Sequence, residues 1–176
     1  MRLSGLILII LAVAAAYFAS APWFAFRSMR DAARTNDVPA LANLVDYDAV
    51  RGSLADELSG QPVAEAPAPN VFKDPIGALK HAFTPARPVP PQVEGFVTPQ
   101  GLYSMSEGRA PNAPPAAGKP ADPFPNIAFW STDRCRIAVS DPAEHTRHTE
   151  FTFSRKGLFN WKLTRIVLPG HATINK

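Results

Sequence analysis

Four histidines, one cysteine and a short run of acidic residues are the side chains in this sequence that could do chemistry. In "DPAEHTRHTE", His145 and His148 stand three apart with Glu144 and Glu150 beside them, which are the residue types that bind zinc. That spacing shares one face only on a helix. Here it falls in a turn between two strand-like stretches, and no spaced further ligand completes the set. His81 and His171 stand alone. The stretch therefore reads as a solvated turn, and no metal is assigned. Asp46, Asp48, Asp56 and Glu57 would supply the paired carboxylates of general acid–base catalysis. Asp46 and Asp48 fit a helix cap and first-turn dipole partner equally well, and Asp56 with Glu57 fits a solvated helix end. Cys135 alternates with apolar neighbours, which marks a buried small hydrophobe rather than a nucleophile. The sequence contains no HExxH, CxxC, phosphate-binding glycine loop or GxSxG. No catalytic or cofactor-binding residue is assigned, no cofactor is expected, and the reading leans away from an enzyme.

Aromatic and cationic residues give the remaining candidates. Trp130 and Trp161 lie in the strand-rich end, where they would line a pocket or fill a core. Trp23, Arg27 and Arg30 follow the apolar N-terminus, where rings and cations would meet a membrane interface. "SRK" at 154–156 would offer further cations to anionic headgroups.

That interface is implied by "MRLSGLILIILAVAAAYFASAPWFAF", which carries no charge from Leu3 to Phe26. A membrane-spanning helix needs roughly 20 apolar residues, and Leu3 to Ala21 supplies them. The rival reading is a cleaved secretory signal. Arg2 is its thin basic region, Leu6 to Val13 its apolar centre, and Ala14–Ala16 or Ala19–Ala21 its small-x-small cleavage pattern. Pro22 would disfavour the second cut. Arg27, Arg30 and Arg34 follow the segment, and only Arg2 and the amino terminus precede it, so the positive-inside rule does not favour an inside N-terminus. Long domains translocate largely regardless of charge. The expected arrangement is therefore an inner-membrane anchor with the domain on the periplasmic side.

The rest of the chain reads as elements joined by proline-rich stretches. Its 176 residues allow one domain with tails, and its 19 prolines are about twice the average share. Pro22 is expected to kink or restart the helix, with Trp23, Phe26, Met29 or Arg30, and Ala33 on one face of the part through Arg34. Asp37 caps a helix opened by Pro39 and carrying Leu41, Leu44 and Val45. Asp46 caps another through Leu58, with Val50, Leu54 and Leu58 spaced four apart on its apolar face. Residues 59–70 read as a linker, 74–83 as a short helix and 84–95 as extended. Thr98, Pro99 and Gly108 bound a two-turn helix, and 109–126 has the composition of a disordered segment. Three strands then carry Cys135, Ile137 and Val139, Phe151 and Phe153, and Trp161 and Leu163 on inward faces. The expected division is an anchor or signal segment at 1–22, a helical part at 23–58, proline-rich linkers with short helices at 59–126, an antiparallel sheet at 127–169 and a tail at 170–176.

"AARTNDVPALANLVDYDAVRGSLADEL", "VEGFVTPQGLYSMSEG" and "FSRKGLFNWKLTRIVLP" together resemble a bacterial family called domain of unknown function 2939. Members have an apolar N-terminus followed by a small-residue helix and two short helices. The resemblance implies no activity and supplies no catalytic residues.

Helices first and an antiparallel sheet of three or more strands after make an α+β fold, with a nuclear-transport-factor-like or cystatin-like curl as the analogues. The expected role is a binding or accessory module on a single-span envelope protein. The alternatives are a cone-shaped domain that binds or transforms a small molecule, a soluble exported protein after signal cleavage, and a cytoplasm-facing domain on a reversed anchor, which the arginines after the span would allow. The membrane is the expected partner of the N-terminal helix, with an envelope protein or small ligand for the domain. A net charge of +3 with no basic stripe excludes nucleic acid.

Overall fold

The computed structural model describes residues 3–59, 91–111, 113, 125–144, 146–157 and 159–169. The short helix expected at 74–83, the linker at 59–70 apart from Ser59, residues 84–90 of the stretch expected as extended, and most of 109–126 lie outside them.

Helix α1 (Leu3–Arg34) runs unbroken through Pro22, where a kink or restart was expected. Proline removes one backbone hydrogen bond, and packing compensates for it here. Ala21, Ala25, Phe26, Met29, Ala32 and Ala33 are all buried, so this half of α1 is held by the domain core. Residues 7–17 of the same helix are exposed throughout. One helix thus has a bare apolar half and a packed half.

Helix α2 (Val38–Leu44) begins where Asp37 accepts a hydrogen bond from the Ala40 N–H at 3.0 Å. Helix α3 (Tyr47–Leu58) begins in the same way, Asp46 accepting from Ala49 at 3.3 Å. Both caps satisfy amide donors that the first helical turn leaves free. Leu41, Val45, Val50 and Leu54 are buried, as their spacing predicts, whereas Leu58, in the last turn of the same row, is 38% exposed. The Asp46 N–H donates to the Leu163 carbonyl at 2.9 Å. Glu57 corrects the expectation of a solvated helix end. It is buried, and its Oε1 accepts from the Leu168 N–H at 2.7 Å. The last turn of α3 lies against the end of the sheet, where a backbone donor has no strand partner and takes the carboxylate.

Helix α4 (Pro91–Phe96) replaces the extended end expected for 84–95, with Pro91 at its first position and Val93 buried. An Arg51–Glu94 ion pair with two hydrogen bonds, at 3.0 and 3.2 Å, ties α4 to α3. Helix α5 (Pro99–Ser106) is capped by Thr98 Oγ1, which accepts from Gly101 at 3.0 Å. It ends at Gly108, whose φ is 75°, the left-handed conformation that suits glycine.

Four strands form an antiparallel meander in the order β1 (Asn126–Trp130), β2 (Arg134–Ser140), β3 (His148–Arg155) and β4 (Trp161–Val167). Cys135, Ile137, Val139, Phe151, Phe153, Trp161 and Leu163 face the core, as the alternation predicts. A register shift between Thr152 and Phe153 changes that alternation in β4. Leu163 and Ile166 are an odd number of residues apart, yet both are buried, because an added residue re-aims the strand. Helices α1 and α3 cover the inward face. The outward face carries Arg136, which is 3.8 Å from Glu150 and over the Phe129 ring. The chain is an α+β fold with an apolar N-terminal helix.

Candidate functional site

The capped ends of α5 place one carboxylate under α1. Glu107 is 1% exposed, and its Oε2 accepts a hydrogen bond from Arg109 Nη2. Its Oε1 faces Arg30 Nη2 of α1 at 3.8 Å, an ion pair. One turn back, the Tyr103 hydroxyl is pushed above its ordinary value, first by burial and then by its hydrogen bond to Glu107. Ser104 and Ser106 are buried beside it, and Ser106 donates to the Tyr103 carbonyl at 2.7 Å. Two guanidinium groups balance one buried charge, and the cluster joins α1 to α5. Such a site braces a fold: its oxygens are held by the protein's own cations and are not turned toward an open surface.

A second concentration of groups lies where α1 meets the β3–β4 turn. Arg155 sits 5.5 Å over the Phe18 ring, and Lys156 Nζ lies 3.3 Å from Asp46 Oδ2. Phe159 packs its ring against Tyr17 and Phe18 at centroid distances of 5.6 and 6.5 Å.

The structure separates the candidates named from sequence. Trp161 is 2% exposed and belongs to the core, which corrects the pocket-lining expectation: the β4 register turns it inward against α1 and the sheet. Trp130 is 40% exposed on edge strand β1 and pairs with Cys135, and strands β2 and β3 separate it from Trp161, so the two indoles do not stand side by side. Trp23 is half-buried, 6.5 Å from Phe26, while Arg27 is exposed. Arg30 is drawn to Glu107 instead of outward. Asp48 is exposed in the first turn of α3, and Asp46 serves as cap and as the partner of Lys156. Burial pushes the Cys135 thiol up to about 11, far from the low values of reactive cysteines. His148 Nε2 lies 3.6 Å from Glu150 Oε1, and His145 is outside the described residues. Among the described residues no group of three or more His, Cys, Asp or Glu side chains could hold a metal ion.

Sequence reasoning missed Glu107, Arg109, Tyr103 and Phe159. Glu107 and Arg109 carried a weak signal, a charged "EGR" around a helix-ending glycine, and Tyr103 carried none. Phe159 carried a better one, an aromatic ring in the turn "KGLFN", where turn chemistry calls for polar residues.

The chain matches the family described as Protein of unknown function (DUF2939) over residues 11–105, more than half its length. The chain belongs to this family. For this DUF2939 member the match begins inside the exposed half of α1 and ends within α5. It therefore takes in the capped helices α2 and α3, where the sequence resemblance is densest. The stretch at 153–169 that also suggested the family lies beyond it. No curated protein and no solved structure matches the chain.

Proposed function

We propose that this DUF2939 protein is a single-span membrane-anchored envelope protein whose α+β domain, outside the cytoplasm, works as a binding or accessory module. The observation that carries the reading is the continuity of α1. The helix is long and apolar enough to cross a membrane, and only 11% of its most apolar stretch is buried. Its other half is part of the domain core. A bare apolar helical face is stable in lipid and costly in water. Continuous helix through Ala19–Pro22, with Ala21 and Pro22 buried, favours an anchor over a cleaved signal, because a cleavage site must be open to a peptidase.

An accessory role is favoured over catalysis by the polar groups themselves. The most buried carboxylates, Glu57 and Glu107, serve a backbone amide and two arginines respectively. The test of placement is a C-terminal fusion to a phosphatase that folds only outside the cytoplasm, beside a fluorescent fusion that matures only inside. Phosphatase activity with a dark fluorescent fusion is expected. A bright fluorescent fusion with an inactive phosphatase would put the domain in the cytoplasm and overturn the reading.

A further inference from the structure

The turn between β3 and β4 is closed by the Lys156 N–H donating to the Asn160 carbonyl at 2.8 Å. Its aromatic residue does not fold back onto the sheet. Phe159 is 57% exposed and reaches across to α1, edge-on to Tyr17 at 61°. With Ile9, Ile10, Val13, Ala14 and Tyr17 it lines an open apolar groove. All five helix residues belong to the exposed half of α1, the half that would lie in a bilayer.

Depth follows from helix geometry. Ala21 is the first buried residue of α1, and Tyr17 lies four residues before it. At about 1.5 Å per residue, the Phe159 contact is about 6 Å deeper along α1 than the level at which the domain closes around the helix. A ring held there enters the layer in which the outer end of a span resides. The neighbouring cations fit that placement. Arg155 stacks over Phe18, and Lys156, held by Asp46, keeps its side chain partly exposed. Apolar rings with long cationic side chains beside them are the pairing found at the border of acyl chains and phosphates. The β1–β2 turn is at the same end of the meander, joined by the Arg155 N–H donating to the Asp133 carbonyl at 2.9 Å, and it follows the exposed Trp130 directly.

We infer that the β3–β4 turn is a second membrane contact: Phe159 seats among lipid acyl chains beside α1 while Arg155 and Lys156 face the lipid phosphates, docking the domain flush on the bilayer. This rests on α1 being a membrane anchor.

Three single-cysteine probes on the full chain test both statements separately. Ala12→Cys reports on the span, Asn160→Cys on the turn, and Thr146→Cys on the opposite end of the sheet. Cys135, buried and weakly acidic, stays unlabelled at neutral pH. Each variant is labelled with an environment-sensitive fluorophore and reconstituted in vesicles of phosphatidylcholine and phosphatidylglycerol that carry nitroxide-labelled phosphatidylcholine. The expected result is loss of emission to deep nitroxides at position 12, loss to shallow nitroxides with a blue shift at position 160, and no loss at 146. Phe159→Glu is expected to abolish the loss when added to the position-160 probe and to leave the signal intact when added to the position-12 probe. Loss at 12 with none at 160 overturns the docking and keeps the anchor. The same pattern in a chain that crosslinks as a dimer through position 160 gives the groove to a second copy. No loss at 12 overturns the anchor itself, and the docking with it.

Discussion

The Phe26 ring stands edge-on to the Phe151 ring, centroids 5.5 Å apart and planes at 67°. It meets Phe153 in the same way at 6.3 Å. Through this contact a helix that is bare and apolar at its start becomes the core helix of a sheet-bearing domain.

Phe26→Ala should therefore destabilise the domain by about 3–5 kcal/mol, the usual cost of deleting a buried aromatic ring. Phe24→Ala, two residues away but on the exposed side, should change stability by less than about 0.5 kcal/mol. Urea unfolding of the detergent-solubilised chain, followed by tryptophan emission, checks both. Equal effects would mean that α1 does not pack as described.

Glu107→Gln removes the negative charge between Arg30 and Arg109. Breaking a buried ion pair from one side typically costs about 3–5 kcal/mol, and a similar loss is expected in the same unfolding assay. Arg51→Gln removes the more exposed pair with Glu94 and should cost no more than about 1 kcal/mol.

Two glycines should respond in opposite directions. At Gly108 the backbone is left-handed, and a Cβ would run into the Ser140 carbonyl, so Gly108→Ala should lower the melting temperature sharply. Gly52 lies within α3 with open space around it. Gly52→Ala should raise stability by about 0.5–1 kcal/mol, because alanine loses less backbone freedom in a helix.

Alkaline pH should weaken the fold. Burial pushes the Cys135 thiol from 9.0 up to about 11, and it also raises Tyr47 and Tyr103 above 10.0. In each case the folded state holds its proton to higher pH than the unfolded chain, so the stability involved is complete below the unfolded value and is lost as pH rises through the folded one. For Cys135 the window runs from pH 9 to about 11, and the roughly 100-fold difference in acidity corresponds to about 3 kcal/mol. Thiolate absorbance should appear only near the top of that window, and Cys135→Ala should flatten the decline in stability between pH 9 and 11.

What the sequence disclosed was local. Asp37, Asp46 and Thr98 each bond an amide three residues on, so their capping role is written within four residues. Strand phase was equally plain, since Cys135, Ile137 and Val139 alternate with arginine and alanine on one strand. The candidate site was hidden because its contacts cross the chain. Arg30 reaches Glu107 from another helix, and Glu57 meets an amide 111 residues later. Nothing beside Glu57, and only the "EGR" run around Glu107, distinguishes either acid from a solvated one. Pro22 misled for the same reason: its local penalty is readable, whereas the packing of Ala21, Ala25 and Phe26 that offsets it is tertiary.

If α1 both anchors the chain and forms its core, as proposed, the helix stays uncleaved. Intact mass of the chain extracted from alkali-washed membranes checks this, and the full-length mass is expected in the membrane fraction. A chain cut after Ala16 or Ala21 and released by the wash would contradict it.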